Sequence, residues 1–230
     1  MSDIYILSID TATEVCSVAL SCNGKNILCK EQNGTNMHSQ ILLPYIDEVL
    51  QQSGIAKTQL SAIAVSEGPG SYTGLRIGVS TAKGLCYALQ IPLIAVPTLM
   101  SIANGARQEY PQYVCFCPMI DARRMEVYCA MYDHNLQETV SADNVIVQEN
   151  SFADILSKHV VVFCGNAVNK VQTVLQHPQA VFASVNCSAK YMTDIAFVYY
   201  NEQKFVDVAY FEPFYLKSFQ SAVSKVKGLR

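Results

Sequence analysis

Apolar positions along this chain switch repeatedly between runs and a helical period, and that switching lays out its elements. Ile4–Ile9 is an apolar run ending in Asp10; after Thr11-Ala12-Thr13-Glu14-Val15 a second run reaches Ser21. Asn23-Gly24 is a hairpin signal, leading into a third strand over Lys25–Lys30. A helix follows over Asn36–Gln52, in which Ile41, Leu42, Leu43, Tyr45, Ile46, Val49 and Leu50 are apolar and Pro44 bends an early turn. Their arc of ~200° is about twice the stripe one core requires. Next come a buried strand at Ala62–Ser66, a glycine-rich turn, a helix over Thr73–Leu89, a strand at Leu93–Val96 and a helix starting at Pro97-Thr98.

The second half repeats this order. Val114–Ile120 is an apolar run ending in Asp121, followed by Ala122-Arg123-Arg124-Met125-Glu126-Val127 and a strand to Tyr132. Both halves read Ile-Asp, a short turn, then Glu-Val, with the two aspartates 111 residues apart at 10 and 121. Further elements are a helix near Ser151–Lys158, a strand at Val160–Cys164, a helix after Gly165-Asn166, a short strand at Val181-Phe182 and a helix over Ser188–Asn201. Ser151 and Ser188 are the expected N-caps. The class is α/β, with mostly parallel pairing beside opening hairpins. The best boundary is Gln108–Gln112, dividing an N-terminal lobe at 1–107 from a C-terminal lobe at 108–212, with a closing helix at 213–230 that returns to the first lobe.

Composition sharpens the picture in one respect. Half of the 230 residues are hydrophobic and only 15% are charged, so the exterior is apolar enough to suggest an obligate interface. The two helices with surplus apolar arc, Asn36–Gln52 and Thr73–Leu89, are where that interface is expected. On the second, Arg76, Ser80, Lys83 and Tyr87 form a narrow polar stripe, while Gly74, Gly78 and Ala82 make a smooth groove. A net charge of −3 argues against unaided nucleic-acid binding, although the chain after Glu212 carries only basic charges, Lys217, Lys225, Lys227 and Arg230. No run is long enough to span a membrane, no basic residue precedes the first apolar run, and a cytoplasmic protein is expected. The nine cysteines never form C-x-x-C and the four histidines never form H-x-x-x-H, so no metal site is expected.

Candidate chemistry is sparse. The turn Glu67-Gly68-Pro69-Gly70-Ser71-Tyr72-Thr73-Gly74 gathers backbone N–H groups at a helix start, which suits an anion. It is no P-loop, because Leu75-Arg76 follow Gly74, and no dinucleotide fingerprint, because Thr73 stands where the third glycine belongs. Asp10 and Asp121 are the one attractive carboxylate pair. Either they hold Mg²⁺ through water in a two-lobed nucleotide fold, with Thr11, Thr13, Gly68 and Gly70 in support, or each caps its own turn. Ser66, Ser71 and Tyr72 have no neighbouring histidine, so no nucleophilic triad arises.

Ile9-Asp10-Thr11-Ala12-Thr13, His38-Ser39-Gln40-Ile41-Leu42-Leu43-Pro44, Gly68–Gly78, Pro97-Thr98-Leu99, Met119-Ile120-Asp121-Ala122-Arg123 and Pro213-Phe214-Tyr215-Leu216-Lys217 together resemble the TsaB (YeaZ) family. The resemblance implies an actin-like, sugar-kinase-like (ribonuclease H-like) fold of two similar lobes. It implies a non-catalytic subunit in threonylcarbamoyl modification of the adenosine beside the anticodon, in tRNAs reading codons that start with A. Its implied partners are the catalytic, glycoprotease-like paralogue TsaD and the ATPase TsaE, with tRNA reached through the complex and a homodimer when alone. The catalytic relative carries an H-x-x-x-H metal pair where this chain has Thr98 and Ile102. The implied interface comprises His38, Ile41, Leu42, Tyr45, Ile46 and Val49 on the first helix and Arg76, Ser80, Lys83 and Tyr87 on the second. No cofactor is implied beyond weak ATP or ADP with Mg²⁺ at the complex interface. The rival readings are an actin-like ATPase and a glycoprotease-like metallopeptidase. Lys217 departs from the family, which more often has arginine there.

Overall fold

The computed structural model describes residues 3–34 and 37–217. Its first sheet comprises β1 (Tyr5–Asp10), β2 (Val15–Cys22), β3 (Lys25–Asn33), β4 (Leu60–Gly68) and β5 (Leu93–Pro97), in the order β3-β2-β1-β4-β5. The second comprises β6 (Cys115–Asp121), β7 (Glu126–Asp133), β8 (Glu138–Ile146), β9 (Val161–Cys164) and β10 (Ala180–Phe182), in the order β8-β7-β6-β9-β10. Each sheet opens with an antiparallel meander and adds two parallel strands, so the repeat extends from the Ile-Asp pairs to the whole topology. The helices are α1 (His38–Ser53), α2 (Tyr72–Leu89), α3 (Thr98–Glu109), α4 (Ala153–Leu156), α5 (Val168–Gln172) and α6 (Thr193–Asn201). The result is a two-lobed α/β fold of mixed sheets flanked by helices.

Local chemistry explains the first-lobe elements. β4 is central and parallel, buried on both faces from Ala62 to Val65, hence its unbroken apolar run. α2 starts where the Ser71 hydroxyl accepts the Gly74 N–H at 3.3 Å. α1 ends at Gly54, which takes the left-handed conformation at φ 70°.

The lobes exchange helices, which redraws the boundary expected at residue 107. α3 buries Leu99, Ile102, Ala103 and Ala106 against Phe116, Ile120 and Val162 of the second sheet. Conversely, Ala189, Met192, Ile195 and Ala196, from a 3₁₀ turn and α6, pack on Ile6, Ala62, Ala64 and Val96 of the first. Asn104, fully buried, joins the exchanged helices by donating to the Tyr191 carbonyl at 2.7 Å and to Asp194 Oδ1 at 2.6 Å.

Three local expectations are corrected. Ser151 caps no helix: α4 begins after Phe152, and the Ser151 hydroxyl accepts the Gln148 N–H at 2.9 Å. Ser188 donates to Glu31 Oε2 at 2.5 Å instead of capping. Residues 213–217 form no helix; they belong to a strap that begins with Val206 N–H donating to the Leu93 carbonyl at 2.9 Å. The rest of the expected closing helix, 218–230, and Asn36 lie outside the described residues.

Candidate functional site

The two aspartate turns have the same internal bond and opposite surroundings. Asp10 Oδ1 accepts the Ala12 N–H at 2.9 Å, and Asp121 Oδ1 accepts the Arg123 N–H at 2.7 Å, so each aspartate caps its own turn. Asp10 and Thr11 are fully buried and Thr13 nearly so. The second Asp10 oxygen has no partner among the described residues, and burial pushes its carboxyl above the usual carboxylate range. Asp121, by contrast, is exposed and pairs with Lys170 at 2.5 Å. The lobes meet here through Asn166, whose Oδ1 accepts the Asp121 N–H at 2.9 Å while its Nδ2 donates to Glu14 Oε2 at 2.8 Å.

The glycine turn closes over the Asp10 turn instead of standing open for phosphate. Ser71 N–H donates to the Ala12 carbonyl at 2.7 Å, and the Thr11 hydroxyl donates to the Gly74 carbonyl at 2.8 Å. A Cβ on Gly70 would lie 2.4 Å from the Ala12 oxygen, and one on Gly74 would lie 2.1 Å from the Thr11 oxygen. Gly68, at φ 118°, faces the strap, where a Cβ would meet the Phe214 oxygen at 2.2 Å. These glycines serve close backbone approach. Asp10, Thr11, Thr13, Gly68, Gly70 and Asp121 therefore do not fit a Mg²⁺–nucleotide: Asp10 is sealed from water with only one oxygen bonded, Thr11, Thr13, Gly68 and Gly70 are engaged by the fold's own contacts, and Asp121 is matched by a lysine. Burial also raises Glu67, beside the turn, above the usual range.

The helix faces separate more sharply than their apolar arc suggested. Leu42, Ile46 and Val49 are core residues, with at most 1% exposed, and His38 is buried with its Nε2 unpartnered among the described residues. Ile41 and Tyr45 are half-buried, and the Tyr45 hydroxyl donates to Gln32 Oε1 on β3 at 2.7 Å. The wide arc is consumed because α1 packs on β2, β3 and α2 together. Ile46 and Val49 thus face inward, contrary to the expected interface, whereas His38 and Leu42 are buried but border the space between α1 and α2, and Ile41 and Tyr45 keep partial exposure. What α1 leaves outside is Ser39, Gln40, Leu43, Pro44, Asp47, Gln51 and Gln52, with Leu43 56% exposed.

On α2, Arg76, Ser80 and Tyr87 are exposed, Tyr87 at 77%. Lys83 is half-buried, and its ammonium donates to the strap carbonyls of Ala209 at 3.1 Å and Phe211 at 3.0 Å. Arg76 stacks 4.4 Å from the centre of the Tyr72 ring and donates from Nε to the Tyr215 hydroxyl at 3.2 Å. Between the helices lies an open groove of about 440 Å³, lined by His38, Ser39, Leu42 and Leu43 of α1 and by Tyr72, Thr73, Arg76, Ile77, Ser80 and Thr81 of α2. Leu43, Thr73 and Ile77 were missed as site residues; their signal is apolar or small side chains at helical spacing on the sheet-remote side.

Among the described residues, no three His, Cys, Asp or Glu side chains converge to hold a metal. Thr98 Oγ1 accepts the Gly68 N–H at 3.1 Å, and Ile102 is core. All nine thiols are free, and burial pushes Cys16 up to about 12 and Cys29 to about 11, far from nucleophilic thiolates at neutral pH. Also among the described residues, no helix is long and apolar enough to cross a membrane.

Residues 32–135 match the family TsaD: tRNA N6-adenosine threonylcarbamoyltransferase. Over 235 aligned positions the chain is 31% identical to the tRNA threonylcarbamoyladenosine biosynthesis protein TsaB of Haemophilus influenzae, covering 95% of each. The chain belongs to the TsaB family. It is also similar to TsaB of Escherichia coli, at 42% identity over 134 residues, a stretch that spans 56% of this chain and only 55% of that one. The solved structure of YeaZ from Pseudomonas aeruginosa matches at a TM-score of 0.78 and 30% identity, over 93% of this chain and all of that one. TsaB proteins are named for tRNA threonylcarbamoyladenosine biosynthesis, and the α1–α2 groove and the two aspartate turns described above are therefore features of a TsaB-family chain.

Proposed function

We propose that this chain is a non-catalytic subunit that docks on the catalytic paralogue TsaD and supports threonylcarbamoyl transfer to tRNA. The observation that carries this is the α1–α2 groove: a mostly apolar depression, bordered by the exposed Leu43, on a surface where no metal-ligating side chains converge among the described residues. The same surface would pair two copies of the chain when no paralogue is present. TsaE would join through the complex, tRNA would be met there, and the setting would be the cytoplasm.

The Asp10 turn speaks against the ATPase alternative, because a sealed carboxylate cannot hold Mg²⁺ through water. The peptidase alternative finds no ligand set among the described residues. The test is reconstitution of threonylcarbamoyl transfer to a tRNA transcript, by the paralogue with and without this chain. Equal activity in its absence would overturn the proposal. ATP hydrolysis by the isolated chain, abolished by Asp10→Ala, would support the ATPase reading in its place.

A further inference from the structure

The β6–β7 turn carries a feature that the fold does not require. Arg123 and Arg124 both have positive φ, 74° and 50°, a region that non-glycine residues other than Asn and Asp seldom enter. The turn is pinned from several sides. Ala122 N–H donates to the Glu126 carbonyl at 3.1 Å, and Glu126 N–H donates to the Arg123 carbonyl at 3.1 Å. The Lys170 ammonium donates to Asp121 Oδ1 at 2.5 Å, to the Arg124 carbonyl at 2.8 Å and to the Glu126 carbonyl at 2.7 Å.

The charges around this turn are sorted. Asp121 is matched by Lys170, and Glu126 is matched by Lys217 and by the Asn144 amide at 2.8 Å. The Lys217 contact is also the main reason the Glu126 carboxyl sits below its usual range. Both acids that flank the turn are thus neutralised by lysines, and Glu14 across the junction is held by the Asn166 amide. The guanidiniums of Arg123 and Arg124 are left exposed, with no carboxylate partner among the described residues. The matching turn of the first lobe, Thr11-Ala12-Thr13, carries no charge and is buried. The duplicated topology therefore closes this hairpin without arginines, and their presence calls for a different reason.

We infer that the Arg123–Arg124 turn is a contact for RNA backbone phosphates, presented at the junction of the two lobes. The inference rests on the tRNA-modification reading and gives that reading a surface. Arginine suits the role, because its planar fork can hold a phosphate bidentately while the lysines here serve as internal ties. A chain of net charge −3 would meet RNA only through such a local excess of positive charge.

The test compares wild type with Arg123→Gly/Arg124→Gly, a pair chosen because glycine accepts positive φ and leaves the turn's backbone in place. Fluorescence anisotropy with an unmodified tRNA transcript is read across salt concentrations, for the chain alone and for its mixture with the catalytic paralogue. Losing two phosphate contacts lowers the slope of log affinity on log salt by about 1.5 and weakens binding by about tenfold at low salt. Arg123→Lys/Arg124→Lys, which keeps the charge, restores most of the slope. Unchanged affinity and slope in the glycine variant would overturn the inference, as would a wild-type chain that ignores tRNA at low salt. So would weakened assembly with the paralogue at unchanged RNA binding, which would make the turn a protein contact. If wild type fails to assemble with the paralogue, the scaffold reading falls, while the titration of the chain alone still decides the turn.

Discussion

Leu42 and Leu43 are neighbours in sequence and opposites in consequence. Leu42 is 1% exposed and packs in the first-lobe core with Ile46, Val49 and Val79, whereas Leu43 is 56% exposed on the groove wall. Truncating a buried leucine to alanine removes its transfer free energy and leaves a cavity, together about 3 kcal/mol. In a chain of this size each kcal/mol lowers the melting temperature by about 3 °C, so Leu42→Ala should melt about 9 °C below wild type. Leu43→Ala loses little buried area and should stay within about 0.5 kcal/mol, or about 2 °C. Differential scanning calorimetry reads both, at protein concentrations low enough that self-association contributes nothing. A loss at Leu43 equal to that at Leu42 would refute the assignment of inner and outer faces on α1.

Asp10→Asn keeps the Oδ1 acceptor for the Ala12 N–H and removes a buried charge. The folded pKa of Asp10 is raised, so the wild type is favoured at low pH and loses stability as pH climbs above the unfolded value. The variant's melting temperature should therefore gain on wild type steadily from about pH 4 upward; a flat difference between acid and neutral pH would contradict the burial argument. Gly68→Ala would force a Cβ to 2.2 Å from the Phe214 oxygen and break the 2.7 Å bond from Phe214 N–H to the Glu67 carbonyl. Amide hydrogen exchange at Phe214 should accelerate, and unchanged protection would show that the strap is held elsewhere. Lys83→Met should free the strap carbonyls of Ala209 and Phe211 to water at a cost of about 0.5–1.5 kcal/mol, read by chemical denaturation; no loss would show that Lys83 does not anchor the strap.

The repeat was legible because both halves keep an apolar run, an aspartate and a turn, and those local rules are written in adjacent residues. β8 was not legible. Glu138–Ile146 is an edge strand exposed along most of its length, specified by its pairing with β7 instead of by an alternating apolar face. The exchange of α3 and α6 between lobes also left no local sign, since an amphipathic helix announces that it has a buried face and not which sheet it covers. The breadth of the α1 arc was correctly read, but Leu42 and Leu43 differ by one helical step of ~100°. Only the placement of β2, β3 and α2 shows which of them water can reach. The glycine turn was recognisable as a helix start rich in backbone N–H groups; the groups that close over it, Ala12, Thr11 and Phe214, come from distant parts of the chain.

Docking through the α1–α2 groove is tested most directly by association with the catalytic paralogue. Sedimentation velocity should show wild type migrating with the catalytic paralogue as one species. Leu43→Glu should lose that association by at least about 100-fold, because it places an unpaired carboxylate in a desolvated contact. Its melting temperature alone should match that of wild type. Wild type that sediments independently of the paralogue, or Leu43→Glu that assembles as wild type does, would contradict the account.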